Sequence, residues 1–427
     1  MKLSVRNRKR EQGGILIVTL FILVAIFIAL GSYLMLVRCH YVSIMRSQGW
    51  NDAMAMAEAG VEEALAQLNP GATTTNISVN RSANGWGSPA NGFYGPVSRT
   101  VMSNGNYSVV FNTATFPIIY STGYVTMPDT SVTLRRVVQV ATTNVPLFNI
   151  AMAARTNITM HGNGLSANSF DSSNTNLSTN GRFDSSKTST NGDIAVLYGT
   201  LDPGNHSVAG DVYLGPTATF SGGANQVTGK VYNDFTADFP QVAVPNTAGW
   251  LTVLPLAGNV SIGGVLTPFD YVFNTSGDYI VPALAGKVYV NANANVRLYI
   301  QGGSLGGALV AGSGANAGHL TLYVAAASFS MGGNGSIDGG KAANLSYIGL
   351  PSNTSISLSG NAAFTGTIYA PSASLTLNGG GNNDYDFVGS CIAAAVTFNG
   401  HFMFHFDEDL LNSGASRGYL AVSWAEL

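Results

Sequence analysis

Charge is what this chain has least of. Asp, Glu, Lys and Arg make up 10% of its 427 residues, against ~25% in an ordinary soluble protein. Five of the 19 Lys and Arg lie within the first ten residues. The rest carries no basic stripe, which excludes the electrostatic footprint of nucleic-acid binding. Glutamate is absent between Glu63 and Glu408. Only two cysteines occur, Cys39 and Cys391. They fall in different predicted domains, so no disulfide framework or Cys-x-x-Cys chemistry follows. Arg38 stands before Cys39 where lipid attachment wants a small residue. No proline precedes Pro70, so nothing forces a helix to break before it. Glycine is plentiful, at 51 residues, and the chain is 46% hydrophobic with a formal net charge of −3. Disorder pairs low hydrophobicity with high net charge. This composition instead fits short strands joined by tight turns.

The longest uncharged apolar run is Ile15 to Val37, 23 residues that include Leu20 and Leu30. A helix needs ~20 apolar residues to cross a bilayer, so 15–37 is predicted as a membrane anchor. Lys and Arg in front of it place the N-terminus in the cytoplasm and the body outside. The run exceeds the 7–15 residues of a cleaved signal's apolar region, and no small-x-small pattern follows it. Beyond the run, Trp50, Met54, Ala57, Val61, Leu65 and Leu68 recur at steps of three and four, one face of a helix. From Ile15 to Leu68 the helix would be roughly 80 Å long at 1.5 Å per residue. Asn69-Pro70-Gly71 stops it.

The basic residues, then Gln12-Gly13-Gly14, then Ile15-Leu16-Ile17-Val18-Thr19-Leu20 resemble the start of type IV pilin and type II secretion pseudopilin precursors. With Ala57-Glu58-Ala59-Gly60-Val61-Glu62 near the helix end, the first 70 residues or so resemble a PilX-type minor pilin. The resemblance implies processing by a prepilin peptidase at Gly13 or Gly14. A peptidase cleft needs close approach to an unencumbered backbone, which glycine supplies. It also implies other pilin-like subunits as partners. Major pilins carry Glu at mature position five. Here that position is Val18 or Thr19, depending on the cut, which points away from a major filament subunit.

Residues 71–92 read as a loop. Four strands are then predicted at Phe93–Val101, Tyr107–Asn112, Pro117–Val125 and Ser131–Thr142, with Asn104-Gly105 as a hairpin turn. A helix followed by such a meander resembles a pilin-type globular domain. From Leu147 short apolar strands alternate with Gly/Asn turns. Gly332, Gly360, Gly379 and Gly400 mark a repeat of ~20 residues, the mark of a parallel β-helix. Asn168 to Asn191, rich in Ser, Thr and Asn, reads as an insertion. Asn149 to Leu411 resembles the β-helical domain attached to PilX-type N-termini in bacterial envelope proteins, carried by Gly366-Thr-Ile-Tyr-Ala-Pro and Asn399-Gly-His-Phe-Met-Phe-His-Phe-Asp-Glu-Asp-Leu. That resemblance implies architecture and no site.

Chemistry has few footholds. The Asp residues stand singly in turn contexts, where Asp bonds its own backbone. Asp384-Tyr385-Asp386 is a close pair without a neighbouring Lys, Arg or His in sequence. In the segment 401–409 strand geometry puts Phe402, Phe404 and Phe406 on one face and His401, Met403, His405 and Asp407 on the other. His405 and Asp407 are the metal candidates, but two ligands fall short of the three or four of a zinc site. The plainer expectation is a final coil with its phenylalanines inside and its polar face against solvent or a cap. Laying Gly366-Thr-Ile-Tyr-Ala over Gly389-Ser-Cys-Ile-Ala matches Cys391 to Ile368, a buried hydrophobe.

The expected fold is mainly β: a basic leader (1–14), a transmembrane and amphipathic stalk helix (15–69), a small α+β sheet domain (70–146), a parallel β-helix (147–415) and a C-terminal tail (416–427). The expected function is a non-catalytic, single-pass inner-membrane protein without cofactor. It would serve as a minor, tip-type subunit or assembly factor of a type IV pilus-like or type II secretion-like system, its head working in adhesion or assembly. The alternatives are a polysaccharide-active β-helix enzyme and a glycan-binding module that uses exposed Tyr on surface glycans.

Overall fold

The computed structural model describes residues 14–69, 81, 84–128, 131–161, 166–252, 256–333, 336–360, 363–379, 385–399 and 402–427. The chain is mainly β with one long N-terminal helix, and it divides into two compact units.

The first unit holds most of the helix α1 (Gly14–Leu68) and the strands β1 (Phe93–Met102), β2 (Gly105–Asn112), β3 (Ile118–Thr126) and β4 (Thr133–Pro146). The strands form an antiparallel meander within a few residues of the predicted positions, with β1 turning into β2 through Ser103-Asn104, one residue ahead of the predicted Asn104-Gly105. Residues 416–427, expected as a tail, are otherwise. Ser416–Glu426 is a strand, the fifth of this sheet and the neighbour of β4. It offers its backbone groups to the β4 edge, which would otherwise keep an unpaired row of them. The second unit is therefore inserted, in chain order, between β4 and the end of this last strand.

Helix α1 packs on this sheet with its outer half only, and the predicted face is buried at Ala57, Val61 and Leu68 but not at its other three positions. Ala53, Met56, Ala57, Val61 and Ala64 are buried, whereas Trp50 is 46% exposed and Met54 and Leu65 are half-buried. Small residues win because the backbones approach closely. A Cβ on Gly123 of β3 would sit 2.0 Å from the Ala53 carbonyl oxygen. A Cβ on Gly60 would sit 2.2 Å from Ser121 Oγ. Trp86, inside the predicted loop, is buried against Phe111 with ring centroids 4.8 Å apart. Arg99 Nη2 reaches Glu63 Oε1 at 2.8 Å, and the Tyr107 hydroxyl donates to the same carboxylate.

The second unit is one large, mostly parallel sheet. Strands one repeat apart pair in register: Ile356 with Leu375, Ile368 with Cys391, Leu322 with Tyr347. Identical or similar side chains then stack, as in the Phe364–Phe387–Phe404 column with centroids 4.7 and 4.6 Å apart. Of the turn glycines, Gly332 takes φ 103°, Gly360 pairs with Gly379, and Gly400 lies outside the described residues. Chain order and stacking order differ. Tyr385–Asn399 pairs onward with Met152–Ala154 and Ile158–His161, and Phe402–Asp407 pairs with Ser166–Phe170. The last strands of the repeat region are therefore interior, with the first ones stacked beyond them.

Candidate functional site

That interior position decides what His405 and Asp407 do. The strand Phe402–Asp407 lies between Tyr385–Val388 and Ala167–Phe170, hydrogen-bonded to both. Its phenylalanine face is buried as expected. The other face is not a solvent cap: His405 is 3% exposed and Asp407 1%. The insertion after Phe170 covers it. Its turns are held by short Asx bonds, Asp171 accepting from Ser173 and Asp184 from Ser186. From it Phe183 stacks on the His405 ring, with centroids 3.5 Å apart and planes 16° from parallel.

The two metal candidates are turned to other partners. His405 Nδ1 lies 2.6 Å from Asn168 Oδ1, and Nε2 lies 3.2 Å from Asp386 Oδ1. Asp407 Oδ1 accepts the backbone N–H of Ser172 at 3.0 Å and that of Asp409 at 3.2 Å. Among the described residues no three His, Cys, Asp or Glu side chains are placed to hold a metal ion. His401 and Asp384 lie outside the described residues.

A different grouping emerges, which sequence reading missed. Asp338, Asp386 and Asp407 line one cavity of ≈ 220 Å³ with Arg182, Lys341 and Phe183. Arg182 Nη1 pairs with Asp338 Oδ2 at 2.9 Å. Lys341 Nζ lies 3.3 Å from Asp409 Oδ2. Burial pushes the Asp407 carboxyl up to about 6, against the lowering effect of the Ser172 and Asp409 hydrogen bonds. Its Oδ2 is buried with no hydrogen-bond partner among the described residues. No sequence signal foretold the cluster, because its members come from separate repeats that only the stacking brings side by side.

The anchor residues stand apart from this chemistry. Ile15, Leu20, Leu30 and Val37 all lie on α1 and all are exposed, Ile15 at 72%. Among the described residues α1 is the one helix long and apolar enough to cross a membrane, and its most apolar stretch is entirely unburied. Gly14 is its first described residue, and Gly13 lies outside the described residues. Cys39 is exposed beside this stretch, while Cys391 is fully buried, and burial raises its thiol pKa well above the usual value.

Residues 258–413 match the model of a domain of unknown function, DUF7305. No curated protein matches the chain. Among solved structures, the chain is similar to the competence-associated pilin ComZ from Thermus thermophilus. The identity is 13%, with 88% of this chain and 97% of that chain covered, at a TM-score of 0.35.

Proposed function

We propose that the chain is a non-catalytic, membrane-anchored envelope protein, a PilX-type minor subunit or assembly factor of a type IV pilus-like or type II secretion-like system. One observation carries the reading. A single helix has an apolar N-terminal half exposed all round and a small-residue half packed on an antiparallel sheet. A side chain exposed all round and apolar is stable in lipid and costly in water. The helix thus serves both as anchor and as the spine of its own domain. The basic residues before it orient the N-terminus to the cytoplasm. Prepilin peptidase would cut at Gly13 or Gly14, and Val18 and Thr19 suit a singular rather than a repeating subunit. The parallel ladders would wind as a β-helix, each repeat supplying its neighbour's core, and this head would act outside the cell in adhesion or assembly. The test is mass spectrometry of the mature N-terminal peptide together with membrane fractionation. A peptide that begins at Gly14 or Ile15 in the inner-membrane or pilus fraction is expected. An intact Met1 or Lys2 would sink the processing step, and a soluble full-length chain would sink the anchor.

A second reading has its own observation. Three aspartates of one cavity, one with a raised pKa, are what a polysaccharide-active enzyme would need. Release of reducing ends from bacterial or plant polysaccharides, lost in Asp386→Asn, is the expected result of that reading. Absence of any turnover would leave the non-catalytic one standing alone.

A further inference from the structure

A second cavity of the parallel-sheet unit has an opposite chemistry. It measures ≈ 710 Å³ and lies under the two-stranded hairpin formed by Gly258–Ile262 and Val265–Phe269, within the 300–1,000 Å³ typical of ligand pockets. None of the described residues that line it is Asp, Glu, Lys, Arg or His. Its polar groups are the side chains of Asn259, Asn274 and Asn291 and the hydroxyls of Ser261 and Thr275. Its aromatic walls are Tyr279 and Tyr289. Asn259, Ser261, Asn274 and Thr275 are exposed, and no side-chain hydrogen bond ties them to other described residues. Tyr289 packs on Phe269 at 5.3 Å and Tyr279 on Phe273 at 5.0 Å between ring centroids. Charge stands outside the cavity: Asp278 is held by Arg297, Oδ1 to Nε 2.6 Å, and Asp270 and Lys287 line an adjoining cavity that shares Asn259.

The absence of charge selects the ligand. An ionic ligand would lose hydration and find no counter-ion. An apolar one would strand the amides. Carboxamides and hydroxyls both donate and accept, and so do sugar hydroxyls, while the C–H face of a sugar ring packs on an aromatic wall. We propose that this cavity binds a neutral oligosaccharide, its hydroxyls met by Asn259, Asn274 and Asn291 and one ring face laid against Tyr279. The inference does not rest on membrane insertion or on pilus assembly.

The test uses the full chain in a sugar-free detergent on an array of neutral and acidic glycans, followed by calorimetric titration of the strongest neutral binder. Neutral glycans are expected above background. Asn274→Ala should weaken binding about fivefold, the loss of one hydrogen bond. Tyr279→Ala should weaken it about tenfold, the loss of one ring contact. Should Tyr279→Ala fail to fold, the exposed pair Asn259→Ala/Asn274→Ala decides. Binding confined to acidic glycans, no glycan binding at all, or wild-type affinity in the double variant would each overturn the proposal.

Discussion

The two units share an alternating burial pattern but fill their cores differently. In the antiparallel sheet one face is inside. Gly105–Asn112 alternates buried and half-buried residues without a break, and the inside face meets a helix stripe of Ala and Gly. In the parallel sheet Asn295–Ile300, His319–Val324 and Leu345–Gly349 alternate as well, and Phe364–Gly379 departs from alternation in a buried run through its middle. There the core is made of columns, one residue above its counterpart a repeat away. An antiparallel sheet with one solvated face advertises itself by period two. The parallel sheet adds a second signal, the repetition that its columns require. In this chain the difference extends to polar residues. Charged groups of the first unit lie at its rim, as Arg99 and Glu63 do. The second unit takes His405 and Asp407 inside.

The comparison can be broken at its strongest point by removing one ring from a column. Phe387→Ala takes the middle member from Phe364–Phe387–Phe404 and should cost ~3–5 kcal/mol, read as a lowered thermal transition of the second unit. A small effect would mean that the columns are not the core. Next is Gly123→Val in β3. The new side chain would begin 2.0 Å from the Ala53 carbonyl, and overpacking against backbone should cost about 3 kcal/mol or more. If the melting point is unchanged, close helix–sheet approach is not what selects the small residues.

Third is the pH response of the buried carboxyl. Asp407 has its pKa raised to about 6 by burial, so the folded state holds the proton more tightly than the unfolded one. The stability this provides is fully present below about pH 4 and is lost as pH rises through about 6, by at most roughly 3 kcal/mol. Asp407→Asn, neutral throughout, should flatten that slope when wild type and variant are melted at pH 4 and pH 7. An unchanged slope would assign it to other groups. Least affected should be Arg99→Ala. Its side chain is half exposed, and Glu63, though only 15% exposed, keeps the Tyr107 hydroxyl, so a loss of about 1 kcal/mol, read from the denaturant midpoint, is expected.

Much of this was legible in the residues. The long apolar helix followed from an uncharged run of sufficient length, and the four strands from alternation and the turn near Asn104. The overlay of Gly366-Thr-Ile-Tyr-Ala on Gly389-Ser-Cys-Ile-Ala put Cys391 opposite Ile368, and the two are register partners in a fully buried column. The helix face is legible at Ala57, Val61 and Leu68, while Ala53, Met56 and Ala64 are buried and Trp50 is not, because close backbone approach at Gly123 and Gly60 shifts the stripe toward small residues. Chain order makes the segment 401–409 a final coil, whereas in stacking order Phe402–Asp407 is interior. Asp338, Asp386 and Asp407 were not seen as neighbours, since nothing in a repeat says which side of the stack an isolated Asp will face.

The run from Ile15 to Val37 and the glycine-marked repeat needed no third dimension. Both are statements about local composition and period, and local chemistry enforces them wherever the chain goes. Where Ser416–Glu426 ends, what covers His405, and which carboxylates share a cavity were decided only by folding. Each depends on a pairing between segments far apart in sequence, and such pairings are chosen by unpaired strand edges and exposed core faces that exist only once the rest has assembled.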